Sequence, residues 1–374
     1  MIAMTKCAVL LWPIALMAAA LAVAVPAVAQ DSSGAPVAVA GAGQPPQPAD
    51  TPSAVDRIQR WIDWQAGTIE TRYRYVETSA GLTTSNQQQH KQTLRVALKL
   101  DPEARYGIVA GAATGGSLTS GWDNLGIGRG DPTWDLSLRQ LYLSVSPIDG
   151  VEGQLGGLYA VRGEQTEITS YDNDTYLMGT RVSVKRPARF YLDEITATFG
   201  HLGDIGTPNV FRRFRQLDEH NFSQVLMGKE FGSLVSASAE WTAHEGISTL
   251  RQAVRVATRE WLPLDSVRFE QYQRIEGDQG YGFGIAAQRA LTKRLTVSGG
   301  FASIDDRHPP LNGDRYLRGR RVFGEARYQV RPELTLATFY TQAFDDDFVI
   351  PNQHRFEIVL SYDVLKALQG AGAW

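Results

Sequence analysis

The stretch Arg355-Phe-Glu-Ile-Val-Leu-Ser-Tyr-Asp363 puts Phe356, Ile358, Leu360 and Tyr362 on one parity and Arg355, Glu357, Ser361 and Asp363 on the other. Successive side chains of a strand point to opposite faces, so this segment has one broad apolar face and one charged face. Neither composition suits a dry core on both sides. A soluble sandwich would turn the charged face to water, and a transmembrane barrel would turn the apolar face to lipid and the charged one to a wet lumen.

The pattern recurs along the chain. Ile69, Tyr73 and Tyr75 oppose Glu70, Arg72 and Arg74, and Leu94, Val96, Leu98 and Leu100 oppose Thr93, Arg95 and Lys99. Tyr176, Met178, Val182 and Val184 oppose Arg181, Ser183 and Lys185, and Val235, Ala237, Ala239 and Trp241 oppose Ser236, Ser238, Glu240 and Thr242. Val322, Ala326, Tyr328 and Val330 oppose Arg321, Glu325, Arg327 and Gln329. Between Leu136 and Val145 the phase slips near Arg139-Gln140, as a β-bulge requires.

The connections alternate in length. Short turns are expected at 101–105, 147–151, 186–189, 230–233, 261–265, 291–294 and 331–333. Longer polar links are expected at 78–90, 118–135, 163–174, 201–221, 244–248, 276–280, 305–315 and 345–354. This gives about sixteen antiparallel strands with both ends on the short-turn side, the outer-membrane pattern. Proline cannot donate to a ladder, and Pro102, Pro132, Pro147, Pro187, Pro208, Pro263, Pro309, Pro310, Pro332 and Pro351 all fall in the expected turns and links.

The start of the chain reads as an export signal. Lys6 precedes an almost wholly apolar run from Cys7 to Val25, and Ala27-Val28-Ala29 before Gln30 is a small-residue cleavage site. Residues 1–29 are therefore expected to be a signal peptide, which leaves no cysteine in the mature chain because Cys7 is the only one. Residues 30–52, rich in Ala, Gly, Pro and Ser, read as a disordered tether. Residues 53–66, with Val55, Ile58, Trp61 and Ile62 near one face, read as a short amphipathic helix. Residues 67–364 are the barrel and 365–374 a C-terminal tail. The fold class is thus an all-β, transmembrane, antiparallel up-and-down barrel with a short N-terminal helix.

In signal peptide, two-residue repeat and loop alternation, the chain resembles Gram-negative outer-membrane porin-like barrels over about residues 67–363. The resemblance is one of architecture. It implies a protein of the cell outer membrane, exported through the periplasm, with outer-membrane lipid, lipopolysaccharide and the barrel-assembly machinery as partners. The chain differs from the trimeric general porins in its modest third link, 163–174, and in the stretch 364–373 that separates the last strand from Trp374.

The inner parity is rich in cations: Arg72, Arg74, Arg95, Lys99, Arg181, Lys185, Arg251, Arg255, Arg259, Arg268, Arg274, Arg321, Arg327 and Arg355. Acids on that parity are fewer, namely Glu70, Glu240, Glu270, Glu325, Glu357 and Asp363. Arg212, Arg213 and Arg215, in the cluster Phe211-Arg-Arg-Phe-Arg215, are candidates for a constriction loop. A cationic wall favours anions, so the expected function is a passive channel for small hydrophilic, anionic solutes. The alternative is an export conduit for an acidic exopolysaccharide. The six histidines fall in or beside the longer links without a metal-ligand spacing, and no nucleophile elbow or phosphate-cradling loop occurs. No enzyme activity, metal, cofactor or nucleic-acid partner is expected.

Overall fold

The structure is a computed structural model that describes residues 60–371, apart from 118–119, 173–174, 186–190, 205, 276–279, 306, 308–314, 317 and 345–352. The expected signal peptide, the tether and the first half of the expected helix, 53–59, therefore lie outside the described residues.

Alternation becomes strands in chain order: β1 (Ile62–Thr78), β2 (Thr83–Lys99), β3 (Tyr106–Thr114), β4 (Asp123–Gly128), β5 (Leu136–Ile148), β6 (Val151–Tyr159), β7 (Tyr176–Lys185), β8 (Glu194–His201) and β9 (Phe222–Phe231). They continue as β10 (Val235–His244), β11 (Ile247–Ala257), β12 (Ser266–Arg274), β13 (Tyr281–Ala290), β14 (Leu295–Ile304), β15 (Gly319–Arg331), β16 (Leu334–Ala343) and β17 (Gln353–Asp363). Two short helices, α1 (Val210–Arg213) and α2 (Val364–Gly370), complete the described elements. Each wall strand pairs antiparallel with its neighbours, and β1 pairs with both β2 and β17 to close the sheet. β4 joins only β2 and belongs to the link it interrupts. The wall is thus a closed barrel of sixteen antiparallel strands. Closure satisfies the backbone without an edge, which a membrane-spanning sheet requires.

The two faces divide as the alternation demands. Ile69, Leu94, Leu98, Val182, Phe199 and Ile285 are exposed on the outside, whereas Arg72, Arg181, Arg251, Arg321 and Arg355 are buried within. An apolar exterior around a charged interior inverts a soluble protein and matches a barrel in lipid.

Several boundaries move. Residues 62–66 are strand, not helix, so the barrel begins at Ile62: Ile62, Asp63 and Trp64 face Leu98, Ala97 and Val96 of β2. Ile58, Trp61 and Ile62 are spaced like a helical stripe, but Ile62, Trp64 and Ala66 alternate equally well, and the short-turn end of β2 needs a partner. The link 78–90 shrinks to residues 79–82, because 83–90 continue β2. That segment, Thr-Thr-Ser-Asn-Gln-Gln-Gln-His, is polar on both faces and so carried no alternation. The link 244–248 is the two-residue turn Glu245-Gly246, with φ of 50° and 79°, the doubly left-handed form that matches strand twist.

The slip in β5 lies where the phase changed: Gly111 faces Gln140 while Ala112 faces Leu138, leaving Arg139 as the extra residue. Pro147 sits inside β5 at its end, beside a second irregularity between Val145 and Ile148. Pro187, Pro309, Pro310 and Pro351 lie outside the described residues. The tail forms α2, capped by Asp363, whose carboxylate accepts from the Lys366 amide at 3.1 Å. Leu365 of α2 rests on Gly67 of β1.

Candidate functional site: a constriction inside the barrel

The loop between β6 and β7 turns into the barrel and is fastened to the wall. Its neck closes where the Ala160 amide donates to the Thr175 carbonyl at 2.9 Å. The buried carboxylate of Glu270 on β12 accepts from the Thr166 amide (2.8 Å), the Thr166 hydroxyl (2.5 Å) and the Thr169 hydroxyl (2.6 Å). Arg251 on β11 donates to the Thr169 carbonyl (3.0 Å) and the Tyr171 hydroxyl (3.2 Å), and its charge is met by Glu240 at 3.3 Å. Glu164 pairs with Arg255 at 3.1 Å and approaches Arg268 at 3.8 Å. Bonds to charged groups contribute about 1.5–3 kcal/mol each, so the Glu270 and Arg251 contacts together hold the loop in one position.

An apolar anchor adds to these. Ile168 is buried among Tyr272, Ala302, Ile304, Phe323 and Phe339. It fits because Gly284 has no side chain: a Cβ there would stand 2.8 Å from Ile168 Cγ2. Gly284→Val is therefore expected to push Ile168 off the wall, seen as faster protease cleavage within 163–172 of the folded barrel.

Across the lumen stands a cluster of guanidiniums around one carboxylate. Glu357 of β17 is fully buried and lies 2.7 Å from Arg355, 3.2 Å from Arg72, 3.3 Å from Arg315 and 3.9 Å from Arg74. Arg72 also stacks on Trp122 at 4.1 Å, and Arg315 on Phe339 at 4.8 Å. Arg315 comes from the β14–β15 link and reaches Glu167 of the folded-in loop at 3.8 Å, tying loop to wall. Glu357 and Glu167 thus set two carboxylates among these four guanidiniums.

Between loop and cluster lies a cavity of about 370 Å³. Its lining holds six cations, Arg72, Arg74, Lys91, Arg315, Arg327 and Arg355, against the four acids Glu70, Glu167, Asp172 and Glu325. Two of the acids sit on the loop and most of the cations on the wall, which sets a field across the lumen as well as a net positive potential. A neighbouring cavity of about 520 Å³ shares Glu167, Arg315, Glu325 and Arg327 with it.

The expected wall cations meet different fates. Arg72, Arg74, Arg327 and Arg355 line the first of these cavities, while Arg268 lines the second. Arg251 and Arg255 hold the loop. Arg95 donates to the Tyr142 hydroxyl at 2.7 Å, Arg181 to Thr198 and Gln154, Arg274 to the Arg307 carbonyl and Arg321 to the Arg318 carbonyl. Lys99 is half-buried on β2, and Lys185 is exposed at the short-turn rim in a hollow with Glu103, Asp149 and Glu152.

Arg259 corrects the reading. It lies past the end of β11, 87% exposed and 3.9 Å from Asp265, so Arg251, Arg255 and Arg259 do not form one lumen stripe. The Phe211–Arg215 cluster does not line either of these two cavities. There Arg212 and Arg215 are exposed and only Arg213 is buried, with burial pushing its pKa down to about 10. Arg315, Trp122 and Glu167 stand in links, where alternation gives no facing, and so escaped the sequence. Among the described residues no group of histidine, cysteine and acidic side chains is placed to hold a metal.

No family model matches the sequence, and no curated protein matches it significantly. Solved structures do resemble it. Salmonella typhi OmpF, in a complex with daunomycin, superposes with a TM-score of 0.55 at 9% identity, covering 81% of this chain and 97% of that one. A mutant of the Rh. blastica porin gives 0.53 at 11% identity, covering 81% and 99%. A triple mutant of the Rhodopseudomonas blastica porin gives 0.51 at 11% identity with the same coverage. At these identities the likeness concerns the fold, and the chain has the porin-like sixteen-strand barrel fold.

Proposed function

We propose that the protein is an outer-membrane channel for passive diffusion of small hydrophilic solutes, with a preference for anions. The observation that carries the reading is the narrowed lumen, in which a fastened loop faces the Glu357 arginine cluster and the lining has more cations than acids. A solute entering the cavity gives up part of its hydration to wall charges. Anions meet guanidiniums there, and cations meet a net repulsion. The apolar exterior and the closed sheet support placement in a membrane of the Gram-negative outer type. Nothing in the site calls for catalysis, since the buried carboxylates Glu270 and Glu357 are occupied in holding loop and arginines.

The export reading draws no support from this geometry. A polymer would need the loop of residues 160–175 out of its path, yet that loop is bound at Glu270, Arg251, Glu164 and Ile168. Liposome swelling checks the channel reading. Vesicles carrying the protein should admit a small sugar acid faster than the neutral sugar of equal size, and both faster than a trisaccharide. Equal entry of all three would refute a narrowed, charged path.

A further inference from the structure

A second set of arginines, none of which lines the constriction cavity, surrounds a stacked tyrosine pair. Tyr159 and Tyr176, opposite each other on β6 and β7, have ring centroids 4.3 Å apart and hydroxyls 2.7 Å apart. Arg95 stands 5.8 Å from the Tyr159 ring and Arg139 5.7 Å from the Tyr176 ring. Arg181 donates to the Tyr159 carbonyl and Arg213 to the Tyr176 carbonyl, the latter at 3.2 Å.

The acceptors of these four guanidiniums are neutral. Arg139 donates to the carbonyls of Thr114, Gly115, Ser117 and Ser120, and Arg181 to Thr198 and Gln154. Among the described residues no carboxylate stands within ion-pair distance of them; Glu152 and Glu194 act on Arg181 only from farther away. By contrast, Glu357 serves Arg355, Arg72 and Arg315, Glu240 serves Arg251 and Glu164 serves Arg255. Arg139 and Arg213 are almost wholly buried. Nε of Arg95, Arg139 and Arg213 and Nη1 of Arg213 have no hydrogen-bond partner. Burying cations without counter-charge is costly, and forked N–H donors beside tyrosine hydroxyls are the donor set that a tetrahedral oxyanion accepts.

We infer that the Tyr159–Tyr176 pair with Arg95, Arg139, Arg181 and Arg213 binds a free phosphate-class oxyanion, at side chains other than those lining the constriction. The site supplies charge and donors that chloride, a spherical monovalent ion, cannot fully use. The burial of Arg139 and Arg213 favours a free ion over a lipid headgroup. The inference stands without the conduction reading, since it concerns binding.

The test uses the whole folded barrel in detergent, and reads the temperature at which heating changes its gel mobility. Inorganic phosphate, compared with chloride at equal ionic strength, should raise that temperature saturably, as a ligand of the folded state must. Arg95→Gln and Arg213→Gln, each alone, should reduce the rise, and Arg327→Gln, at a position that lines the constriction but is largely exposed, should leave it intact. No phosphate-specific rise in the wild-type protein would overturn the inference. So would a rise lost in Arg327→Gln but kept in both site variants, or a rise produced by phosphatidic acid in the micelle and not by inorganic phosphate. The wild-type comparison decides even if one variant fails to fold.

Discussion

Replacing Arg74, Lys91 and Arg327 together by glutamine is expected to abolish the anion preference of the channel and turn it toward cations. The six cations of the constriction lining fall to three against its four acids. The choice of residues matters. Arg72, Arg355 and Arg315 hold Glu357 at 3.3 Å or less, and removing partners of a buried charge costs about 3–5 kcal/mol. Arg74 reaches it only at 3.9 Å, and Arg327 sits beside Glu325 with much of its side chain exposed. The triple variant should therefore fold and show the mobility shift on heating, while its reversal potential under a salt gradient changes sign. An unchanged sign would mean that these side chains do not shape the path.

This choice reflects what the sequence made legible. Two-residue alternation depends only on which face meets lipid, so it placed Arg72, Arg74, Arg327 and Arg355 on the inner wall and found the slip at Arg139. It does not follow the chain once a strand ends. Arg259 kept the parity of Arg251 and Arg255 but lies beyond Ala257, where β11 has stopped. The folded-in loop was equally hidden. Its modest length only set it apart from the trimeric general porins, and its position depends on long-range partners: Glu270 stands 104 residues from Thr166, and Arg251 82 residues from Thr169. Arg315 and Trp122 reach the lumen from links with no repeating pattern to place them.

The second large effect concerns that loop. Glu270→Ala removes the acceptor of three loop donors at once, the Thr166 amide, the Thr166 hydroxyl and the Thr169 hydroxyl. Charge-assisted bonds of this kind contribute roughly 1.5–3 kcal/mol each, so their joint loss removes a large share of the loop's hold and leaves it to Arg251, Glu164, Glu167 and Ile168. The loop should leave its seat for part of the time. Single-channel records are then expected to show larger conductance with added noise, and protease should cut within 163–172 while the barrel stays intact. Glu270→Gln, which keeps an acceptor but loses the charge, should lie between the two. A conductance equal to wild type in Glu270→Ala, with no new cleavage, would show that the loop does not set the width.

The central claim is that the narrowed lumen conducts and that its excess of guanidiniums selects the sign of the ion. The most direct test is the zero-current potential of the purified wild-type protein in a planar bilayer under a tenfold potassium chloride gradient, repeated at higher absolute salt. The expected result is a steady ohmic current with a potential of the sign set by chloride. The preference should weaken toward 1 M salt, where the screening length falls to about 3 Å. A potential of the sign set by potassium, or no current from folded barrels, would contradict the claim.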